Sequence, residues 1–419
     1  MLKNLWKKIG PGFITGAADD DPSGVATYSQ TGAIFGYSQL WLALFTFPFM
    51  IVIQQMCGRI GMVTGKGLAG VIHANYSKPV LYFAVSLLVV ANTINIGADL
   101  GAMAASAQML LGLPFFFWLL LMTGFIIVLE AFVTYKTYSK ILKYLALTLF
   151  AYVFTAFIVK LDWGIILKNT VLPNIQFSKD YLLNIVAILG TTISPYLFFW
   201  QASQEVEEAI VDDKIQDIGV GTPAVSRKNV ADMNWDTIIG MFFSQAIMFF
   251  IIITTAATLH AKGINNIETA SQAAEALRPV AGNLAYLLFA AGIIGTGLLA
   301  VPILAGSSAY AVAETAGLKA GLSKKPGRAP AFYGVIAVST LIGMSINLLG
   351  INPIKALYYA AAFNGIAAPA LMVLVILIAN NKDIMGKFVN KRISNIAGWV
   401  IVLVMTIAAI LFIIDSLKG

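Results

Sequence analysis

Apolar stretches long enough to cross a membrane follow one another along the whole chain, separated mostly by short polar connections. Because these stretches are long and continuous, we expect helices rather than the strands of a barrel. Their approximate bounds are 11–35, 39–58, 80–111, 114–133, 141–159, 182–204, 237–260, 281–313, 331–350, 356–380 and 395–414. The pattern predicts an all-α integral membrane protein with about eleven transmembrane helices in a single domain, 1–419. The first and sixth helices are predicted to be broken.

The composition supports the membrane assignment, and the distribution of basic residues predicts the orientation of the chain in the membrane. Only 11% of the residues are charged, against about 25% in soluble proteins. If the N-terminus is cytoplasmic and the C-terminus extracellular, seven of the 27 Lys and Arg residues lie outside: Lys160, Lys168, Lys179, Lys262, Arg278, Lys355 and Lys418. This asymmetry follows the positive-inside rule and is typical of a multi-pass protein of the cell membrane. The net charge of +7 therefore reflects orientation, and no nucleic-acid partner is expected.

Three carboxylates and a helix breaker lie inside the first apolar stretch, in the run DDDPSG at positions 19–24. Pro22 and Gly24 interrupt the helix and free backbone carbonyls where lipid could not satisfy them. Charged side chains at this depth are costly and are candidates for function. They would also repel the negative end of the preceding half-helix unless a cation lay between them. The pattern predicts a cation site at Asp21, with Asp20 beside it.

The sixth apolar stretch contains a second break, GTTISPY at positions 190–196. Paired interruptions at corresponding positions indicate two inverted five-helix repeats with a substrate site between them. The repeats would span about 10–160 and 181–380, with an eleventh helix at about 395–414. A proline kink without function is the alternative, although it explains one break better than two. Carbonyl oxygens around Thr191, the hydroxyl of Ser194 and the neighbouring Tyr196 are further candidates for the metal site.

These residues resemble the Nramp family of divalent-metal transporters over essentially the whole chain. GPGF at 10–13 and DPSGVAT at 21–27 are similar to the family's GPGF and DPGN-IAT runs. TTISPY at 191–196 is similar to A-x-x-M-P-H, and DLGA at 99–102 is similar to D-L-A-E. The resemblance implies a LeuT-type fold and alternating access around a central metal site.

The metal ligands of the family are only partly present. The family pattern holds a transition metal with the aspartate, the asparagine of DPGN and the span-six methionine. Here Asp21 keeps the aspartate, whereas Gly24 and Ser194 stand at the other two positions. A thioether favours soft metals, so its loss favours a hard ion, and Gly24 is expected to widen the cavity. Since Mg²⁺ commonly keeps several waters, we predict transport of hydrated Mg²⁺ and also Mn²⁺.

The residues linked to proton coupling in the family are also replaced. Tyr196 stands where the family has histidine, Ala102 replaces an acid, and the ninth span (331–350) has no basic residue. The two histidines, His73 and His260, are not placed as a relay. We therefore expect transport without proton coupling. A proton-coupled Mn²⁺/Fe²⁺ importer of the ordinary Nramp type remains the alternative.

Several polar residues have weaker assignments. Asn364 could offer an amide oxygen to a hydrated ion, although the family's span-ten glutamine aligns with Ala361 instead. Helix–helix hydrogen bonds are the expected role of Asn92, Asn95 and Gln245. The segment 203–236 is predicted to be a polar, solvated cytoplasmic connection.

Other classes of function have little support. No phosphate-binding loop, nucleophile–base set or zinc-type cluster is present, so neither nucleotide binding, enzymatic activity nor a resident cofactor is expected. The single Cys57 excludes an internal disulfide. A channel would need a filter-like repeat, and a metal sensor would need an output domain, but the sequence shows neither. An amino-acid carrier would need a site that accepts a carboxylate, whereas three aspartates would repel one. The expected partners are a divalent metal ion and the lipid bilayer, with the chain a monomer.

Overall fold

The computed structural model describes residues 10–132 and 149–418, with side chains as far as residue 414. Within these ranges the regular structure is helical, and the β pairing consists of one isolated bridge between Asp217 and Val220. The predicted all-α class is therefore confirmed.

The helices before the sixth span are α1 Pro11–Asp19, α2 Pro22–Phe35, α3 Trp41–Thr64, α4 Leu68–Asn75, α5 Lys78–Leu111, α6 Phe115–Phe132, α7 Phe150–Ile158 and α8 Trp163–Val171. The helices from the sixth span onward are α9 Lys179–Thr192, α10 Pro195–Val211, α11 Arg227–Thr258, α12 Ala270–Ala274, α13 Arg278–Ala281, α14 Ala285–Ala316, α15 Pro330–Ile346, α16 Pro353–Asn380, α17 Lys382–Met385 and α18 Arg392–Lys418. Short 3₁₀ turns lie at 260–262, 275–277, 282–284, 326–328, 347–349 and 386–388.

Most predicted spans correspond to long helices. In the described part of the chain, nine helical stretches are long and apolar enough to cross a membrane, with α9 and α10 together forming one of them. The first predicted span is divided between the shorter helices α1 and α2. The predicted span 141–159 lies partly outside the described residues, and its described part contains α7. The chain is a multi-pass membrane protein.

Both predicted breaks are present, and each is followed by a helix that begins at proline. Asp21 is the N-cap of α2 and Ser194 is the N-cap of α10, so Pro22 and Pro195 occupy the first helical positions. Proline is favoured there because that position needs no backbone N–H and its fixed φ suits a helix. At each break, proline therefore ends the preceding half-helix and begins the following one.

The packing relates the two halves reciprocally. The first span packs through α1 against α11, the seventh span, while the sixth packs through α10 against α3, the second span. The third and eighth spans, α5 and α14, pack against each other. This exchange of partners is what two inverted repeats about a two-fold axis produce.

The expected connection 203–236 is shorter than predicted. Helix α10 continues to Val211 and α11 begins at Arg227, so the true connection covers 212–226. The prediction was wrong because two of the acidic residues, Glu205 and Glu207, are buried within α10, whereas Glu208, Asp212 and Asp213 are exposed. Glu207 accepts hydrogen bonds from the Tyr310 hydroxyl (2.7 Å) and from the backbone N–H of Leu322 (2.9 Å).

Small residues allow the sixth span to cross the tenth closely. A Cβ added at Gly190 of α9 would lie 2.0 Å from the carbonyl oxygen of Ala361 and 2.2 Å from the backbone nitrogen of Gly365, both on α16. The contact joins backbone to backbone, so neither side can turn away. Small residues at such crossings are the usual means of close helix association in membranes.

Replacing Gly190 with alanine should therefore destabilise the fold. The expected cost is about 1–3 kcal/mol, the range for forcing an extra carbon into a packed interior. The readout is the melting temperature of the detergent-purified protein. Gly124→Ala is the matched control because a Cβ at this exposed glycine of α6 meets nothing within 4 Å. Equal melting temperatures for the two variants would contradict the close crossing.

Candidate metal site

Asp21 lies at the first break, and its carboxylate is held by three hydrogen bonds. Its Oδ1 accepts from the Ser23 hydroxyl and from the backbone N–H of Gly24, each at 2.7 Å. Its Oδ2 accepts from the side-chain amide of Asn95 on α5 at 2.9 Å. Both oxygens are thus oriented by the protein, and the side chain is only 1% exposed. This is the arrangement expected of a carboxylate that is positioned to bind a ligand.

The second break lies directly beside the first. The hydroxyls of Ser23 and Thr191 are 3.4 Å apart. A Cβ added at Gly24 would lie 3.2 Å from Thr191 Oγ1, 3.2 Å from the carbonyl oxygen of Asp19 and 3.3 Å from the Tyr28 ring. The structure therefore brings Asp21, Gly24 and Thr191 together as predicted. It does not show the widening expected at Gly24, because Tyr28 and Thr191 pack into that space.

Hydroxyl groups of the sixth span bond to carbonyls at both breaks. Ser194 Oγ lies 2.6 Å from the carbonyl oxygen of Gly190 and 2.9 Å from that of Thr191. The Tyr196 hydroxyl donates across the site to the carbonyl oxygen of Ala18, at 2.8 Å. Ser194 thus directs its hydroxyl hydrogen to carbonyls of the preceding half-helix, α9, while Tyr196 links the sixth span to the first.

Asp19 and Asp20 lie on the other side of the first break, next to α11. Asp19 Oδ2 accepts a hydrogen bond from Ser244 Oγ at 2.5 Å, and Asp20 Oδ1 lies 3.4 Å from the same hydroxyl. The remaining oxygen of each carboxylate has no hydrogen-bond partner among the described residues. Both side chains are fully buried. Ser244 had no assigned role in the sequence, because a lone serine in an apolar helix carries no distinguishing pattern.

A fourth carboxylate, Asp99 of α5, is also fully buried. None of the four ion pairs found between described residues includes Asp19, Asp20, Asp21 or Asp99. Buried carboxylates without a cationic partner must bind a cation or a proton, because an isolated buried charge is very costly. The buried carboxylates at the centre of the molecule therefore require a bound cation or protons to neutralise them.

The structure tests the assignments of two asparagines. Asn95 was expected to form a helix–helix hydrogen bond, and it does so by donating from α5 to Asp21, the N-cap of α2. Asn364 is buried on α16, and in the described ranges no hydrogen bond connects it to Asp21, Thr191 or Ser194. A helical spacing of four residues from the DLGA run at 99–102 was the one signal that could have placed Asn95 near the site.

A cavity of about 430 Å³ approaches the site along α2. Its lining includes Ala26 and Gln30 of α2, Leu183 of α9 and Tyr358 of α16. Under the predicted orientation this cavity opens to the extracellular side. Asp21 itself is closed off from solvent.

The donors around Asp21 suit one ion held by few direct protein ligands. In the described part of the chain, no three His, Cys, Asp or Glu side chains come close enough to hold a metal together. The groups that surround the two breaks are a single oriented carboxylate, hydroxyls and backbone carbonyls. Such oxygen donors match hard cations that retain water.

The model of the Nramp family, described as natural resistance-associated macrophage protein-like, matches residues 12–415. The chain belongs to the Nramp family. The resemblance drawn from the motifs at 10–27 and 191–196 is thereby confirmed.

Curated relatives of this Nramp chain are named divalent metal cation transporter MntH. The protein from Deinococcus radiodurans is 26% identical over 409 residues, covering 96% of this chain and 88% of the relative. The protein from Caldanaerobacter subterraneus subsp. tengcongensis is 27% identical over 440 residues, covering 100% of this chain and 95% of the relative.

Solved structures confirm the fold. The Eremococcus coleocola manganese transporter, in complex with an aromatic bis-isothiourea compound, superposes with a TM-score of 0.76 at 18% identity, covering 97% of this chain and 86% of that one. Mhp1, a nucleobase-cation-symport-1 family transporter, superposes with a TM-score of 0.63 at 13% identity, covering 98% and 90%. The LeuT-type fold predicted for the Nramp chain is therefore confirmed.

Asn95→Ala should weaken metal binding because Asp21 Oδ2 loses the amide that orients it. The expected loss in affinity is about 10- to 100-fold, the usual effect of removing a group that supports a ligand. Titration calorimetry of the purified protein with Mn²⁺ measures it.

Asn92→Ala is the matched control for this variant. Asn92 is a buried amide on the same helix, but it donates to the Leu304 carbonyl and to the hydroxyls of Ser307 and Ser308. The Asn92→Ala variant should be less stable than the wild type and should keep its affinity for Mn²⁺. Equal losses of affinity in both variants would show that Asn95 acts only through helix packing.

Proposed function

We propose that this protein carries divalent metal cations across the cell membrane by alternating access. Hydrated Mg²⁺ is the main substrate and Mn²⁺ a second one, and their movement is not coupled to protons. The proposed orientation has a cytoplasmic N-terminus and an extracellular C-terminus. The observation that carries the proposal is the oriented, buried carboxylate of Asp21 between two broken helices.

Divalent cation transport is supported by the relatives and by the charge of the site. The curated relatives are named divalent metal cation transporters. In this chain Asp19, Asp20 and Asp21 are consecutive and buried, with no ion-pair partner in the described ranges. Three adjacent carboxylates favour a doubly charged ion more strongly than a singly charged one.

The choice of a hard ion is supported by the ligand chemistry around Asp21. The groups at the two breaks that could bind a cation are oxygens, namely the Asp21 carboxylate, hydroxyls and backbone carbonyls. Ser194, which replaces the family's methionine, holds carbonyls of α9 with its hydroxyl. A site without a thioether at that position loses its main preference for soft metals over Mg²⁺.

The absence of proton coupling is supported by the positions of the histidines. His73 is exposed and lies beside the Glu314 carbonyl, and His260 bonds to the Ala33 carbonyl. Both lie away from the breaks, and Tyr196 occupies the position after Pro195. A tyrosine hydroxyl does not titrate near neutral pH and is a poor proton relay there.

Proton-coupled Mn²⁺ import remains a second candidate. The structural relative from Eremococcus coleocola is a manganese transporter, and buried carboxylates such as Asp99 can bind protons in place of metal. This candidate predicts that an inward proton gradient accelerates uptake.

The membrane potential is a sufficient driving force for the uncoupled carrier. A divalent ion gains about 4.6 kcal/mol per 100 mV, twice the value for a single charge. Transport should then be electrogenic, and an inside-negative potential alone should concentrate Mg²⁺.

The test is Mg²⁺ uptake into proteoliposomes that contain a Mg²⁺-sensitive dye, with an internal pH dye measured in parallel. We expect saturable uptake that responds to potential, is the same at acidic and neutral external pH, and moves no protons. Asp21→Ala should abolish it. Internal acidification that accompanies Mn²⁺ entry, with no entry of Mg²⁺, would refute the uncoupled magnesium carrier and favour the second candidate.

A further inference from the structure

We infer that Tyr196 determines which cations the site accepts, by occupying a backbone carbonyl that would otherwise bind the ion directly. The carbonyl is that of Ala18, to which the buried Tyr196 hydroxyl donates at 2.8 Å. Tyr196 thereby keeps the substrate in its water shell. The inference rests on the proposed function and specifies how the same site selects its ion.

The Ala18 carbonyl needs a partner because of Pro22. In an α-helix each carbonyl accepts from the N–H four residues later, and for Ala18 that residue is Pro22, which has no N–H. The oxygen therefore remains without its helical partner at the C-terminal end of α1, where the helix dipole is negative. An unpaired carbonyl beside three carboxylates is a strong direct ligand for a cation.

The second break repeats this relation. Four residues after Thr191 stands Pro195, so the Thr191 carbonyl also lacks its helical N–H. Ser194 Oγ lies 2.9 Å from this oxygen. Each proline thus leaves one carbonyl without a partner, and a hydroxyl within the three-residue run Ser194–Tyr196 reaches each of them. The sixth span supplies both hydroxyls.

The hydrogen bond changes what the ion meets at this position. A neutral carbonyl oxygen has two lone pairs; the Tyr196 hydroxyl takes one, draws electron density from the other and holds the oxygen in place, which makes it a weaker ligand. In its place the site presents the phenolic oxygen, a neutral group that can accept a hydrogen bond from a metal-bound water. At this position the protein then offers an acceptor for a metal-bound water rather than a metal ligand.

Asp21 does not compensate for the lost ligand. A carboxylate has about four lone-pair sites, and Ser23, Gly24 and Asn95 use three of those on Asp21. One position on Oδ2 remains for the ion. A cation that binds Asp21 through this one position must keep most of its water, because the carboxylates of Asp19 and Asp20 face Ser244 on the α11 side of the break.

This arrangement favours Mg²⁺ over competing metals. Mg²⁺ releases water reluctantly and is commonly bound through one or two carboxylates with its waters retained. Mn²⁺ generally binds protein ligands more strongly than the harder ion, so a direct carbonyl contact would benefit it most. Removing the Tyr196 hydroxyl should therefore shift the preference towards Mn²⁺.

The first experiment counts the waters on Mn²⁺ bound to the purified wild-type protein, by electron–nuclear double resonance in isotopically labelled water. We expect water to supply every ligand except the Asp21 oxygen. A wild-type ion that has already exchanged a second water for a protein oxygen would overturn the inference without any variant.

The second experiment compares Tyr196→Phe with wild type for Mn²⁺ and Mg²⁺ affinity and for the water count. The variant should lose at least one water from bound Mn²⁺. Its ratio of Mn²⁺ to Mg²⁺ affinity should rise about tenfold or more, the scale on which neighbours of metal ligands act. Equal changes in both affinities, with the water count unchanged, would show a purely structural role and overturn the inference.

Tyr310→Phe is the matched control. It removes another buried hydroxyl, one that donates to Glu207 at 2.7 Å and is not among the groups at the two breaks. It should lower thermal stability and leave the affinity ratio unchanged. If Tyr196→Phe does not fold, the wild-type water count still decides. The liposome assay separates the two hypotheses, since wild type that fails to carry Mg²⁺ refutes the proposed function whatever the water count.

Discussion

Two prolines in the middle of a membrane protein impose the constraint on which the rest of this structure depends. Pro22 and Pro195 each remove the N–H that a carbonyl four residues earlier would use, and neither lipid nor bulk water is present to replace it. The chain must satisfy those oxygens internally or with a substrate. The two breaks lie side by side, with the hydroxyls of Ser23 and Thr191 3.4 Å apart. The carbonyl oxygens that lack helical partners are therefore collected in one site.

Helix α1 is fixed at both ends by the seventh span. At its N-terminus, Asp236 of α11 accepts hydrogen bonds from the backbone N–H groups of Gly10 (3.0 Å) and Gly12 (2.7 Å), where an anion is favoured by the helix dipole. At its other end, Ser244 of the same helix donates to Asp19. The half-helix and α11 therefore form a unit. On the opposite side, Tyr358 donates to Asn184 at 3.0 Å and joins α16 to α9.

The architecture could be predicted from the sequence because membrane spans and helix breaks depend on local composition. The prolines identify both breaks, and Asp21 follows from its charge. Asn95 was assigned a helix–helix hydrogen bond, but Asp21 could not be named as its partner, since that depends on how α5 crosses the first span, which is a property of tertiary packing. The helical stretch 203–211 was missed for the same reason. The buried hydrogen bond from Tyr310 to Glu207 is a tertiary contact, and a run of polar residues in the sequence does not predict it.

The replacement of the family's histidine by Tyr196 has two consequences that follow from one group. A phenol keeps its proton near neutral pH, and that of Tyr196 is long enough to reach the Ala18 carbonyl across the site. In the proposed mechanism, the residue that replaces a titratable histidine is also the residue that engages a candidate metal ligand. Under the proposed function, such a site would support neither a proton-driven cycle nor a tightly held, dehydrated ion. The proposed substrate is a strongly hydrated cation driven by the membrane potential, so that one side chain would link selectivity to energetics.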